Sequence, residues 1–586
     1  MTRFGRTSKL VAAMLGGALV LSACSSDDDS GGEESNNSGS GGPSGTVTYG
    51  MEQPFDSYNN TTAGANTVAN GQVLNSVLTG FWQFGNEDGQ PIPNEEFGTF
   101  EKVSDDPLTV EYHINEEAVW SDGTPIDCDD VMLWWTAMSG AFDGLFSAVG
   151  TQGIEDTAMP DCEAGGKDFT LVYSKPYADW LTAGPGNGNT VIMPAHVVAE
   201  QGGFDSPEAF LEALRGDDAS VLEDAADFYN NGWLLNGALP DESLIPSSGP
   251  YKLTGYEPEQ SVTLTYNENY WGTPPAAETI VIRQIPDSEQ VQALQNGEID
   301  IIQPQPTVDM AQQIDAASGI DSQVFNQYTY EHLDFNFEDG PFADSLALRQ
   351  AFALCVPRQT LVENLIQPVV PDAEVLNARN TAPWDPGFEE SLTASQEYID
   401  EFGTQDIDRA RQILEEEDAV GTTVRLATLD NQRRNDAGQL IMDACNQAGF
   451  DVQFSSTADF FDTNGALSQN AYDVAMYAWA GSPDRSGWNS TYRTPTDCTP
   501  EGKGNNNGCY SNPELDELLD QVLRASDEQE AIDLTAQIEA LLWEDLVTIP
   551  LYQHPGIVAW GSSVQNVVPN PSQNGIVWNM AEWSKA

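Results

Sequence analysis

The stretch 423–455 constrains the fold more than any other. Thr423–Thr428 reads as a strand. Asp436–Ala448 reads as a helix with Ile441, Ala444, Cys445 and Ala448 on one face, and Gly449 stops it. Asp451–Ser455 is strand-like again. Strand, crossover helix and strand make a βαβ unit, which implies a parallel sheet. Tyr472–Ala480 (YDVAMYAWA) is apolar enough for a buried strand. Thr46–Met51, Leu108–Ile114 and Thr170–Tyr173 are further strands. A helix begins at Asp127, which can cap it, with Asp129 and Asp130 in its first turn and Val131, Trp134, Trp135 and Met138 as its apolar face. Ala531–Leu546 reads as a helix and Thr548–Tyr552 resumes a strand. The expected class is α/β, with no internal repeat.

At 586 residues the chain exceeds one domain of about 100–200 residues. Its 14 Trp and 40% hydrophobic content exclude overall disorder. Lys and Arg number 22 against 92 Asp and Glu, a net charge of −70 at pH 7. Such a polyanion is repelled by nucleic acids and anionic headgroups, which excludes a nucleic-acid binder.

Residues 1–24 are basic at first and then apolar from Leu10 to Leu21, too short and Gly-rich for a lasting transmembrane helix. Leu21-Ser22-Ala23-Cys24 resembles the bacterial lipobox, in which the chain is cut before a Cys that carries lipid. Residues 1–23 are then a signal peptide and Cys24 the lipidation site. Acyl chains, at ~0.8 kcal/mol per buried CH₂, would hold the protein on a membrane surface. In residues 25–45, Ser and Gly supply 13 of 21 positions and five are acidic, the composition of a flexible tether. The expected location is extracytoplasmic and lipid-anchored to the cell membrane.

The sequence has no GxSxG, GxxxxGK[ST], HExxH or CxxC motif. Its four His, at 113, 196, 332 and 554, are far apart. Acidic pairs are everywhere among 92 acids and single out nothing. The expectation is no enzyme, no catalytic residue, no cofactor and no metal.

Several segments together carry a resemblance. Trp120-Ser121-Asp122-Gly123-Thr124-Pro125 followed by Asp129-Asp130-Val131 is similar to a WSDGxP…DV signature. Ser248-Gly249-Pro250-Tyr251 is similar to a GPY turn, Tyr266–Gly272 to an NPxYW segment, and Leu294–Asp300 to ALxxGExD. Phe335-Asn336, Pro341-Phe342, Arg349-Gln350-Ala351 and Arg358 keep the order FN, PF, RQA, DR. Tyr510–Asp516 and Ile549–Tyr552 close the series. Spread in order over about 46–580, these resemble the extracellular solute-binding proteins of peptide, nickel and related ABC importers.

The resemblance implies a two-lobed periplasmic-binding-protein-like fold of the large peptide-binding subclass. Residues 46–283 plus 548–586 would form lobe I, with an extra subdomain at 76–188, and 284–547 lobe II. It implies a monomer that encloses a solute, by default an oligopeptide or dipeptide, and hands it to an importer permease. A metal chelate, an opine or an oligosaccharide is the alternative ligand, and a surface sensor without transport the alternative role.

This chain departs from the pattern where peptide-binding relatives have WxxD, whose Asp takes the peptide ammonium. Trp479-Ala480-Gly481-Ser482-Pro483-Asp484 puts Ser482 at that position, with Asp484 two residues on. Trp479 is a candidate aromatic wall or a core residue. Asp484 either replaces the missing charge or is a surface acid. Further cleft candidates by position are Asn70, Phe142, Phe146 and His554, against readings as a capping Asn, core Phe and an exposed His.

After Cys24 six cysteines remain in an exported chain, where thiols oxidise. Cys498 and Cys509 flank a Gly/Asn-rich loop, and Cys128 and Cys162 share the proposed subdomain. Cys355 and Cys445 sit on apolar helix faces that could meet; the alternative is two buried thiols. The acidity reads as a solubility adaptation to salt. Melting temperature is therefore expected to rise with NaCl up to ~1 M, where the screening length is ~3 Å; a flat or falling curve in a calorimetric scan would remove that reading.

Overall fold

The structure is a computed structural model that describes residues 42–586 apart from 87, 143, 380, 463, 482, 500 and 501. The leader, Cys24, most of the tether and Ser482 lie outside the described residues. Among the described residues, ten strands form one mixed sheet. They are β1 (Thr46–Met51), β2 (Tyr251–Glu257), β3 (Ser261–Tyr266), β4 (Thr279–Gln284), β5 (Ile301–Ile302), β6 (Ile320–Phe335), β7 (Thr423–Leu429), β8 (Asp451–Thr457), β9 (Val474–Trp479) and β10 (Thr548–Gly561). Across the sheet they run β8-β7-β9-β6-β10-β5-β1-β4-β3-β2.

β7 and β8 pair in parallel from Thr423 opposite Asp451 to Leu429 opposite Thr457, as the βαβ reading requires. β9 lies parallel on the other side of β7. Four helices bear on the argument: α1 (Cys128–Met138), α2 (Leu346–Cys355), α3 (Gln432–Ala448) and α4 (Glu528–Glu544). The crossover helix α3 starts four residues before the sequence-based position. Its cap is Asn431, whose side chain accepts from the Arg434 N–H. The extra turn brings Arg433 and Arg434 onto the buried side, 8% and 7% exposed. α1 begins at Asp127 as expected, with a capping box that Asp130 closes.

β6 and β10 are the long strands, 16 and 14 residues. They pair antiparallel from Ile320 opposite Gly561 to Asn326 opposite Pro555, lose register, and resume at Tyr330 opposite Gln553. A second slip falls between Glu331 and His332. Such irregularities bend a strand pair. On one side of the break the apolar core holds Val47, Trp134, Tyr251 and Trp583. On the other it holds Leu333, Phe352, Val424, Ile441 and Leu551. These are the two lobes, joined through β6 and β10.

The first lobe carries an added antiparallel sheet of Gly98–Asp105, Leu108–Ile114 and Asp168–Val172. Residues 285–319 form a small core of their own against β5 and β10. β5 pairs with both β1 and β10. Ile285, Leu294 and Ile314 share a core with Ile557 and Ala559.

The three expected disulfides are present: Cys128–Cys162, Cys355–Cys445 and Cys498–Cys509, with Cα separations of 6.0, 4.9 and 5.9 Å. The second ties α2 to α3 inside the second core and closes a loop of 90 residues. Loop-closure entropy makes that bridge worth about 4 kcal/mol. The double variant Cys355→Ala, Cys445→Ala is expected to lose stability of that order in urea unfolding. Thiol titration of the unfolded, unreduced Cys24→Ser form is expected to find none free.

Candidate functional site

Three cavities that share lining residues follow the gap between the lobes. The first holds about 550 Å³ and is walled by amides and hydroxyls. Asn66, Thr67, Asn187 and Asn189 come from the first lobe, and Asp484, Ser486, Ser490 and Asn505 from the second. Trp82 and Phe84 add aromatic surface. Val68, Ser572 and Gln573 pass this chamber on to a second of about 260 Å³. Glu52, Asp287, Gln327 and Ala480 pass that one on to a third of about 1130 Å³. The far wall of the third is Arg433, Arg434, Phe461 and His554.

The third cavity abuts the break in the long strands. Glu331 of β6, wholly buried, accepts from Arg434 at 2.7 and 3.2 Å. It also bonds His554 Nε2 of β10 at 2.7 Å. Burial opposes its charge, yet Arg434 and His554 hold its carboxyl well below the usual carboxylate range. Burial and then the charge of Arg433 press the His554 imidazole down to about 4, against the pull of Glu331. His554 is therefore neutral at pH 7.

The lobes also touch at the rim of the first chamber. Thr182 donates its hydroxyl to Asp484 Oδ1 at 2.8 Å. The Ser486 N–H donates to Asp179 Oδ2 at 2.7 Å. Arg524 pairs with Asp156 at 3.0 Å. Gln90 donates to the Tyr328 hydroxyl and to Asp385, at 2.6 and 3.1 Å. Burial and then the nearby charge of Asp484 lift the Asp179 carboxyl to about 6.

The structure brings two sequence candidates into the gap, Asp484 at the first chamber and His554 at the third. Trp479 stacks on His332, with centroids 6.1 Å apart and planes at 12°, and stands edge-on to Tyr477. It is half-buried beside the small core under β7 and β9. Asn70 is wholly buried and used internally: its amide donates to Asp56 and to the Ala65 carbonyl. Phe146 lies in the first core, edge-on to Tyr229 at 5.3 Å, and Phe142 packs partly buried against it. Sequence reasoning missed Glu331, Arg433, Arg434, Asp179 and Thr182. One signal was available: Arg433-Arg434 is the only place where two of the 22 cations are adjacent.

A sequence profile of the bacterial extracellular solute-binding proteins, family 5 (middle region), matches residues 95–497. The chain belongs to this family. An uncharacterized lipoprotein of Mycobacterium tuberculosis is 29% identical over 567 residues, covering 93% of this chain and 94% of that one. The oligopeptide-binding protein OppA of Mycobacterium bovis is 26% identical over 502 residues, 84% of this chain and 77% of that one. Among solved structures, the periplasmic EDTA-binding protein EppA superposes with a TM-score of 0.80 at 24% identity, covering 94% and 98%. That likeness shows the fold. Family 5 proteins bind solutes extracytoplasmically, and among the described residues no helix is long and apolar enough to cross a membrane.

Within this family 5 chain the hinge cluster has a pH signature. The folded pKa of His554, about 4, lies below its unfolded value near 6.5. Its contribution is whole above pH 6.5 and is lost as the pH falls toward 4. Between pH 7 and pH 4 the wild type is expected to lose roughly 3 kcal/mol more than His554→Gln. Urea unfolding of both at the two pH values checks it; parallel losses would refute the assignment.

Proposed function

We propose that the chain is the lipid-anchored, monomeric solute receptor of an ABC importer and that its solute is an oligopeptide. The observation that carries this reading is Asp484. It stands at the rim of an amide-lined chamber and already accepts from Thr182 of the opposite lobe. Amides on both walls suit the N–H and C=O groups of an extended main chain. A carboxylate at the rim offsets the cost of enclosing an ammonium, which a serine hydroxyl cannot do. The relative OppA, named for oligopeptide binding, supports the same class.

Closure of two lobes about β6 and β10 completes such contacts, and a permease can distinguish the closed form from the open one. We place the boundary between lobes within β6 and β10, with residues 46–319 and 562–586 on the first side. The leader, the lipobox-like end at Cys24 and the Ser/Gly tether support an anchor, as does the relative named a lipoprotein. A non-peptide solute is the second reading. Trp82 and Phe84 among side-chain amides also suit a sugar oligomer.

Two experiments test these readings. With a pentapeptide of free amino terminus, Asp484→Asn is expected to lose about 2 kcal/mol or more of affinity by calorimetry. The N-acetylated pentapeptide is expected to bind both forms alike, and an unchanged affinity for the free peptide would favour the sugar reading. In the native host, Cys24→Ser is expected to leave the membrane fraction. Retention like wild type would refute the lipid anchor.

A further inference from the structure

We propose that Leu523 and Arg524 form a clasp that holds the two lobes closed without a solute and so sets solute affinity from outside the cleft. This rests on the reading that the lobes open and close about β6 and β10. The helix Pro513–Leu523 lies in the second lobe, where Leu515, Leu519 and Val522 share a core with Trp488 and Ile538. Its last residue departs from that core. Leu523 is 7% exposed and is buried instead in the apolar core of the first lobe, which also holds Leu108, Tyr173 and Tyr177. Of this helix only Leu523 does so.

Polar groups at the same point are shared across the seam. The last carbonyls of a helix have no partner within it. Here the Leu523 carbonyl accepts from the Ala178 N–H of the first lobe at 2.9 Å. Arg524 donates to the Pro176 carbonyl at 3.0 Å and pairs with Asp156 at 3.0 Å. One apolar side chain, one main-chain bond and one guanidinium thus cross between the lobes at a single place. In a chain of net charge −70 the approach of two lobes is opposed by like charge. Arg524 sets a cation across the seam against that repulsion.

Asp156, Pro176, Ala178, Leu523 and Arg524 line none of the three chambers of the gap. Their contacts are therefore made whether or not a solute is enclosed. Apparent affinity for a solute that needs the closed form scales with the fraction of protein already closed. A contact that raises this fraction raises affinity for every solute by one factor and reads none of their chemistry. The clasp residues are positioning residues in this sense: they act on the solute only through the lobes.

Distances between spin labels on the two lobes test the proposal in the solute-free Cys24→Ser form, with labels at the exposed positions Val103→Cys and Glu514→Cys. With the clasp intact, the short, closed separation is expected to dominate. Leu523→Ala is expected to lower the closed-to-open ratio ~10-fold or more. Arg524→Gln is expected to lower it less, because its ion pair is part-exposed, and Leu523→Met, which keeps the volume, is expected to stay closed. Melting curves establish that the variants are folded. A folded Leu523→Ala with the wild-type distances overturns the proposal, as does an intact clasp that is mainly open without solute. Pentaalanine added to the opened Leu523→Ala form separates the clasp from the readings beneath it. If it restores the short separation, both stand. If the variant opens and pentaalanine leaves it open, the clasp stands and the oligopeptide reading falls. If pentaalanine moves the lobes while Leu523→Ala does not, the clasp falls and lobe closure stands.

Discussion

β6 and β10 run antiparallel through both lobes, so the ladder between them is the frame on which each half-sheet is hung. A continuous register would make that frame stiff. Instead it slips between Asn326 and Tyr330 and again after Glu331. Residues at a slip lose paired backbone partners and gain freedom to bend. What keeps the weakened place from fraying is side-chain chemistry. Glu331 projects from one strand, His554 from the other, and Arg434 from the helix behind them. Three elements meet in one hydrogen-bonded group at the point where the register of β6 and β10 breaks.

The same economy explains where the few cations went. In a chain with 22 basic residues, several are committed to the interior. Arg358 is 2% exposed and donates to the carbonyls of Pro550, Gly403 and Leu376 and to Asn377. Arg379 is wholly buried against Glu539 and Thr548, over the face of Trp543. Both stitch the connection after α2 to α4 and to the start of β10. Guanidinium groups suit this work because five fixed donors satisfy several carbonyls at once. With its cations drawn inward, the surface is left to the acids, which sets the strong electronegativity of the exterior.

The βαβ unit, the α1 cap and the disulfide pairings were legible because each rests on local pattern: period, capping residue, parity of cysteines. The start of α3 was not, because Asp436 looked like a cap while Asn431, one turn earlier, does the capping. β5 was not legible either: it is two residues long, too short for any periodicity, yet it joins β1 to β10 in the sheet. Asn70 and Phe146 were sensible by position and are consumed by internal bonds and packing. Arg433 and Glu331 are 102 residues apart in sequence, and only the return of β6 and β10 past α3 makes them neighbours.

The contacts across the rim carry opposing signs, and that opposition bears on how a solute can act. Thr182 to Asp484 and Ser486 to Asp179 favour the closed arrangement. The two carboxylates they bring together oppose it: burial first, and then the charge of Asp484, lift the Asp179 carboxyl to about 6. Their proximity cancels part of the hydrogen-bond gain. A solute shifts the balance only by binding the closed form better than the open one. A cationic group set beside Asp484 does so twice over: it gains a partner and removes the repulsion that closure would otherwise incur. An uncharged solute gains only the first kind of contact and must draw its preference from the amide walls. If the gap is the solute site as proposed, the acidic pair would favour a cationic group at the rim.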